Sequence, residues 1–206
     1  MAMIDLKSYE KLQYFTTLKE ASMNDADKRH IMYMVDSEAE VIDFDKVKEN
    51  YISQLHVLDT PKSNDALLEF DGKLYFIEFK DGNMRDAIFE VKRKIYESLL
   101  VFCDITGENI SFTRENMNYI LVYNKENSRK YIEKLVEKRE KNSSSLSKKE
   151  INESQSYDQF LGIMGSLSKI NVDIFGLKKQ FQKMYFKEVY TYDKEEFTKE
   201  FASKLQ

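Results

Sequence analysis

Residues 63–80 constrain this chain more than any other stretch. Two apolar runs, Ala66-Leu67-Leu68-Glu69-Phe70 and Lys73-Leu74-Tyr75-Phe76-Ile77-Glu78-Phe79-Lys80, flank Asp71-Gly72. Asp-Gly between such runs predicts a two-residue hairpin turn, because both central positions then need positive φ. Closing the turn at 71–72 makes the numbers of antiparallel partners sum to 143, so Phe70 faces Lys73 and Asp65 faces Glu78. Directly opposed residues have Cβ atoms roughly 5 Å apart, and like charges there destabilise a sheet. A cation between them removes the repulsion, and carboxylate oxygens suit a hard divalent metal. Mg²⁺ or Mn²⁺ held by Asp65 and Glu78 is the expectation, with the Phe79 backbone carbonyl as a further oxygen ligand. Lys80 shares the Glu78 face by alternation and would stand beside an attacking water. The competing reading is a surface hairpin with a Glu78–Lys80 ion pair and no metal.

Length and composition set the frame for that hairpin. The 206 residues are 42% hydrophobic, enough for one domain with a sizeable core, spanning 1–206. No apolar run approaches the ~20 residues of a membrane span, and Met1-Ala2-Met3-Ile4-Asp5 lacks the form of a signal peptide. A single cysteine, Cys103, excludes an internal disulfide framework. These features predict a soluble, cytoplasmic protein without a membrane partner. The net charge of −4 argues against a globally basic nucleic-acid binder. Charge is uneven: residues 1–124 hold 15 Lys/Arg against 23 Asp/Glu (15 − 23 = −8), and 125–149 hold 9 against 4 (9 − 4 = +5). The second segment reads as a solvated helix and loop, with a phosphate-contacting arm as the rival.

Periodicity supplies the rest. Leu6, Tyr9, Leu12 and Phe15, then Ile31, Met34 and Val35, predict one or two N-terminal helices broken near 22–25. A helix over 44–56 and a turn at Asp59-Thr60-Pro61 lead to hairpin strands at 65–70 and 73–80. Met84, Ala87, Ile88, Val91, Ile95, Leu99 and Phe102 mark a helix over 84–102. A buried strand at 118–123 and a charged helix at 127–140 follow. Residues 142–156 read as a mobile charged loop, and 157–167 as a short helix. A strand at 184–191 and a helix at 194–205, capped by Thr191 or Asp193, close the chain. The fold class is α/β (α+β): a small mixed β-sheet flanked by helices, with its core at 45–123 plus the strand at 184–191.

Asp65 with Glu78-Phe79-Lys80 resembles the PD-(D/E)XK phosphodiesterase superfamily, the restriction-endonuclease-like nucleases. There an acidic residue opens one strand and Glu/Asp-x-Lys ends its partner. Asn64 stands where the name-giving proline would be. The resemblance covers about residues 45–123. It implies a restriction-endonuclease-like core with extra N- and C-terminal helices, and a Mg²⁺-dependent nuclease cleaving phosphodiester bonds in DNA rather than RNA. It implies Asp65, Glu78 and Lys80 as the catalytic set. Another acidic ligand from the preceding helix would be Glu49, with Glu38 and Glu40 behind it. The exonuclease branch carries Gln-x-x-x-Tyr on the next helix, where this chain has Lys92-x-x-x-Tyr96, a candidate phosphate contact that ordinary helix packing explains equally well. Homodimers are common in that superfamily. The alternative function is a catalytically inactive nuclease-fold module that serves as a regulator or partner subunit.

Other residues read more plainly. Glu69 shares the face of Asp65 but reads as exposed. His30 and His56 lack the company of a zinc or general-base site, and Cys103 ends an apolar helix and reads as buried. The aromatic stretch from Phe181 to Tyr192 reads as strand packing before base stacking.

Overall fold

The computed structural model describes residues 5–24, 31–55, 57–143 and 173–205. Its centre is a six-stranded mixed sheet in the order β1 (Phe15–Thr17), β4 (Glu40–Asp43), β5 (Ala66–Phe70), β6 (Lys73–Lys80), β7 (Met117–Tyr123) and β8 (Val189–Asp193). A small hairpin, β2 (Met23–Asn24) with β3 (Met32–Tyr33), stands apart. The first four strands of the sheet pair antiparallel, while β6–β7 and β7–β8 are parallel. Parallel neighbours need crossovers. These run through α3 (Met84–Thr106) and α4 (Ile110–Asn116) between β6 and β7. Between β7 and β8 lie α5 (Lys125–Ser143) and α6 (Leu177–Phe181).

The hairpin forms in the expected register, with Phe70 opposite Lys73 and Ala66 opposite Ile77. Asp71 (φ 49°) and Gly72 (φ 65°) both take positive φ, as the tight turn requires. β6 and β7 are nearly continuous apolar runs because helices cover both faces of the sheet, and all seven residues of β7 are buried. On one face Phe76, Tyr119 and Leu121 meet Val91, Ile95 and Phe102 of α3 and Phe44 and Val47 of α2 (Phe44–Ser53). On the other, Ile77, Phe79 and Val122 meet Leu18 of α1 (Leu18–Ala21) and Phe197 of α7 (Lys194–Glu200).

Several boundaries differ from the sequence expectation, each for a local reason. The N-terminal spacing of three belongs to two 3₁₀ turns, Leu6–Ser8 and Glu10–Leu12, whose period is three. Phe15-Thr16-Thr17, β-branched and aromatic, then adds an edge strand to β4. So the expected N-terminal helices reduce to short turns and one four-residue helix. The last strand starts at Val189 rather than 184, and α7 ends at Glu200 before a 3₁₀ turn over Ala202–Lys204. Asp193, not Thr191, caps it, in a reciprocal capping box with Glu196. α3 runs four residues past Phe102 and stops where Gly107 turns left-handed (φ 72°). The expected loop at 142–156 falls outside the described residues apart from the end of α5, and the helix at 157–167 falls wholly outside them.

The turn can be tested directly. Gly72→Ala forces a Cβ into the left-handed region and should cost about 1–2 kcal/mol, lowering the urea midpoint at an unchanged m-value.

Candidate metal centre

Asp65 sits one residue before β5, opposite Glu78, at the end of the hairpin away from its turn. Three elements hold it. The Phe44 N–H at the start of α2 donates to its carbonyl at 3.1 Å. The Phe79 N–H donates to Asp65 Oδ2 at 2.6 Å. One residue earlier, the Asn64 N–H donates to Ser98 Oγ of α3 at 2.7 Å. A strand residue directs N–H and C=O to the same side, so the Phe79 carbonyl also points toward β5 and past its start.

A lysine that the sequence does not single out joins the two carboxylates. Lys94 Nζ lies 2.9 Å from Asp65 Oδ1, 2.8 Å from Glu78 Oε1 and 3.1 Å from Glu78 Oε2. Its side chain is 11% exposed and that of Glu78 is 0%. Glu78 Oε1 is at ion-pair distance from the ammonium yet accepts no aligned hydrogen bond among the described residues. Lys80 stands on the outer side, 3.3 Å from Glu78 Oε1 and 3.6 Å from Glu90 Oε1.

Burial sets the protonation of this cluster. It pushes the Glu78 carboxyl up to about 8, with the Asp65 charge adding to the effect and Lys94 and Lys80 opposing it. Burial also raises Asp65, against the pull of Lys94 and the Phe79 N–H. For Lys94, burial disfavours the ammonium, but the Glu78 and Asp65 charges outweigh it and the net shift is upward.

The trio backs onto an open cleft of about 1030 Å³ that reaches Asp65, Phe79 and Lys80. Eight acidic residues and two lysines line it. Its walls therefore attract cations and repel a polyanion unless cations are bound.

The remaining candidates fall as follows. Glu49 is exposed on the cleft wall, and the α2 carboxylate that bears on Asp65 is Asp45, which also accepts the Ser63 hydroxyl. Glu38 and Glu40 are exposed, Glu38 in the segment before β4 and Glu40 at its first position. Tyr96 packs against Phe181 and Tyr185, and its hydroxyl accepts from Gln180 at 3.0 Å. No ion pair or hydrogen bond among the described residues joins Lys92 to Asp65 or Glu78. On α3 it is Lys94 and Ser98, with the same i, i+4 spacing, that face the hairpin. Tyr119 is fully buried on β7. Its hydroxyl has no hydrogen-bond partner among the described residues, and burial, then Glu78 and Asp65, hold its pKa well above the ordinary value. The Asn64 amide is buried with neither atom hydrogen-bonded among those residues, a desolvation cost next to Asp65. His30 and His56 lie outside the described residues. Cys103 is half-buried, and Phe181 and Phe186 are core residues while Tyr190 and Tyr192 stack on each other at 5.8 Å.

Among the described residues no cluster of three or more His, Cys, Asp or Glu is placed to hold a metal. The two carboxylates converge on one cation, the Lys94 ammonium. With hard oxygen donors, an acidic approach and a buried Oε1 lacking a hydrogen bond, the pair fits Mg²⁺ or Mn²⁺ if the ammonium moves away. No family model matches the chain, and neither the curated proteins nor the solved structures hold a match. No helix among the described residues is long and apolar enough to cross a membrane.

Removing Lys94 strands two opposed carboxylates. Lys94→Met should cost about 3–5 kcal/mol, read from urea unfolding at pH 8.5. The pH dependence has a definite sign. Because the Glu78 carboxyl titrates near 8 in the fold and in the ordinary carboxylate range when unfolded, the folded state binds the extra proton. Stability from Glu78 is then complete below about pH 4.5 and declines up to about pH 8. Glu78→Gln should flatten the fall in Tm across that window, and an unaltered slope would contradict the assignment.

Proposed function

We propose that the chain is a metal-dependent nuclease that hydrolyses phosphodiester bonds, in DNA according to the resemblance of its motif. The supporting observation is the cross-strand pair: Asp65, which lines the cleft, and the fully buried Glu78 face each other with their oxygens converging on one cationic centre. Asp65 and Glu78 would hold Mg²⁺ or Mn²⁺ together with the Phe79 carbonyl. The ion, when bound, supplies Lewis acidity and a more acidic water. The Phe79 N–H fixes the Asp65 carboxylate through Oδ2, which leaves Oδ1 to accept from the Lys94 ammonium. Lys80, at the cleft and already paired with Glu78 and Glu90, would orient the water and offset phosphate charge. Asp45 would act behind Asp65 by keeping the local field negative.

A second reading, the catalytically inactive nuclease-fold module, has two observations in its favour. Lys94 neutralises the carboxylates without any metal, and the acidic walls of the cleft oppose a nucleic-acid strand.

Cleavage of supercoiled and single-stranded DNA with Mn²⁺ separates the two. Asp65→Asn, Glu78→Gln and Lys80→Ala should each lower the rate by about 10²-fold or more, with chelation abolishing it. Activity that survives all three substitutions would remove the nuclease assignment, and no activity in the intact chain would favour the module.

A further inference from the structure

We propose that Lys94 is the centre's own cation, and that its ammonium and a divalent metal are mutually exclusive occupants of the space between Asp65 and Glu78. The inference rests on the metal-dependent reading above and adds a device that governs access to the site.

Three carboxylate oxygens lie 2.8–3.1 Å from the Lys94 nitrogen, and two of them, Asp65 Oδ1 and Glu78 Oε2, accept its hydrogen bonds. A metal bonded to the same oxygens at about 2.0–2.1 Å would lie within a few ångströms of that nitrogen. Two adjacent cations in a dry pocket repel strongly, so both cannot stay. Neither carboxylate can easily turn aside. Asp65 Oδ2 is held by the Phe79 N–H, Asn64 is tied to α3 through Ser98, and Glu78 is fully buried in the middle of the sheet. The lysine is the movable member, with four rotatable bonds. It has somewhere to go: Glu90, four residues earlier on α3 and therefore on the same side, lines the cleft and is 45% exposed. Swinging from Glu78 to Glu90 carries the ammonium outward while keeping it paired. Lys80, now between Glu78 and Glu90, would be released toward the cleft by the same exchange.

Lys94 thus makes the metal-free protein stable and sets a threshold for loading. It is a positioning residue and not a catalytic one, and its signature is in binding.

Mn²⁺ titration by calorimetry tests this with the full chain, Lys94→Gln and Asp65→Asn/Lys94→Gln. Lys94→Gln should bind Mn²⁺ at least about tenfold more tightly than the unsubstituted chain, and the double variant should lose that gain. Equal affinity with and without Lys94 overturns the exclusion but leaves the metal-dependent reading standing. No Mn²⁺ binding by any form overturns both. Should Lys94→Gln fail to fold, amine labelling of the unsubstituted chain read by mass spectrometry replaces the titration. Lys94 should be several-fold more reactive at saturating Mn²⁺, and unchanged reactivity overturns the proposal.

Discussion

Two opposed carboxylates buried at one end of a hairpin are the constraint on which the rest of this structure depends. Asp65 and Glu78 face each other because the Asp71-Gly72 turn sets the strand register, and their repulsion must be cancelled for β5 and β6 to stay paired at that end. Lys94 cancels it. That requirement orients α3: Lys94 contacts the carboxylates while Ser98, one turn on, holds the Asn64 backbone. The helix that crosses from β6 toward β7 is therefore pinned to the sheet by charge at this spot and by Val91, Ile95, Leu99 and Phe102 elsewhere.

The surroundings amplify the effect of that cluster. Tyr119 and Phe76 on adjacent strands keep water from one side, so the electrostatic interactions inside are strong. On the other side, the cleft brings Asp45, Asp81, Asp86 and Glu90 near the rim. Polar side chains brace this end of the sheet: Asp81 accepts hydrogen bonds from Asn24 and Asn124 at 2.8 and 2.7 Å. The carboxylates are thus held by hydrogen bonds and burial on one side and border an open cleft on the other. Such placement of a few charged groups beside an accessible cleft is the arrangement expected of a functional centre.

Much of this is legible in the residues alone, and the reason differs from element to element. The hairpin is readable because its turn chemistry is local and its register is arithmetic. β7 and α3 are readable because long apolar patterns report burial. The N-terminal segment misleads, since Leu6, Tyr9, Leu12 and Phe15 are spaced by three, which a 3₁₀ turn and an α-helix share over so short a length. β1 and β4 escape notice because strands of three and four residues carry almost no periodic signal, and their pairing with distant β5 supplies what propensity does not.

The candidate centre divides along the same line. The sequence by itself determined that Asp65, Glu78 and Lys80 share a face, because a two-residue turn and strand alternation leave no other register. It could not choose between Lys92 and Lys94. At 3.6 residues per turn the two lie about 160° apart, on opposite borders of the same apolar stripe. Each border is a reasonable place for a lysine whose stem packs on the core and whose head seeks charge. Which border meets the hairpin depends on how α3 lies across the sheet, and that is set by packing against β6, β7 and α2. Only the tertiary structure decided that Lys94 enters the site, that Asp45 rather than Glu49 stands behind Asp65, and that the pair of carboxylates already has a cation.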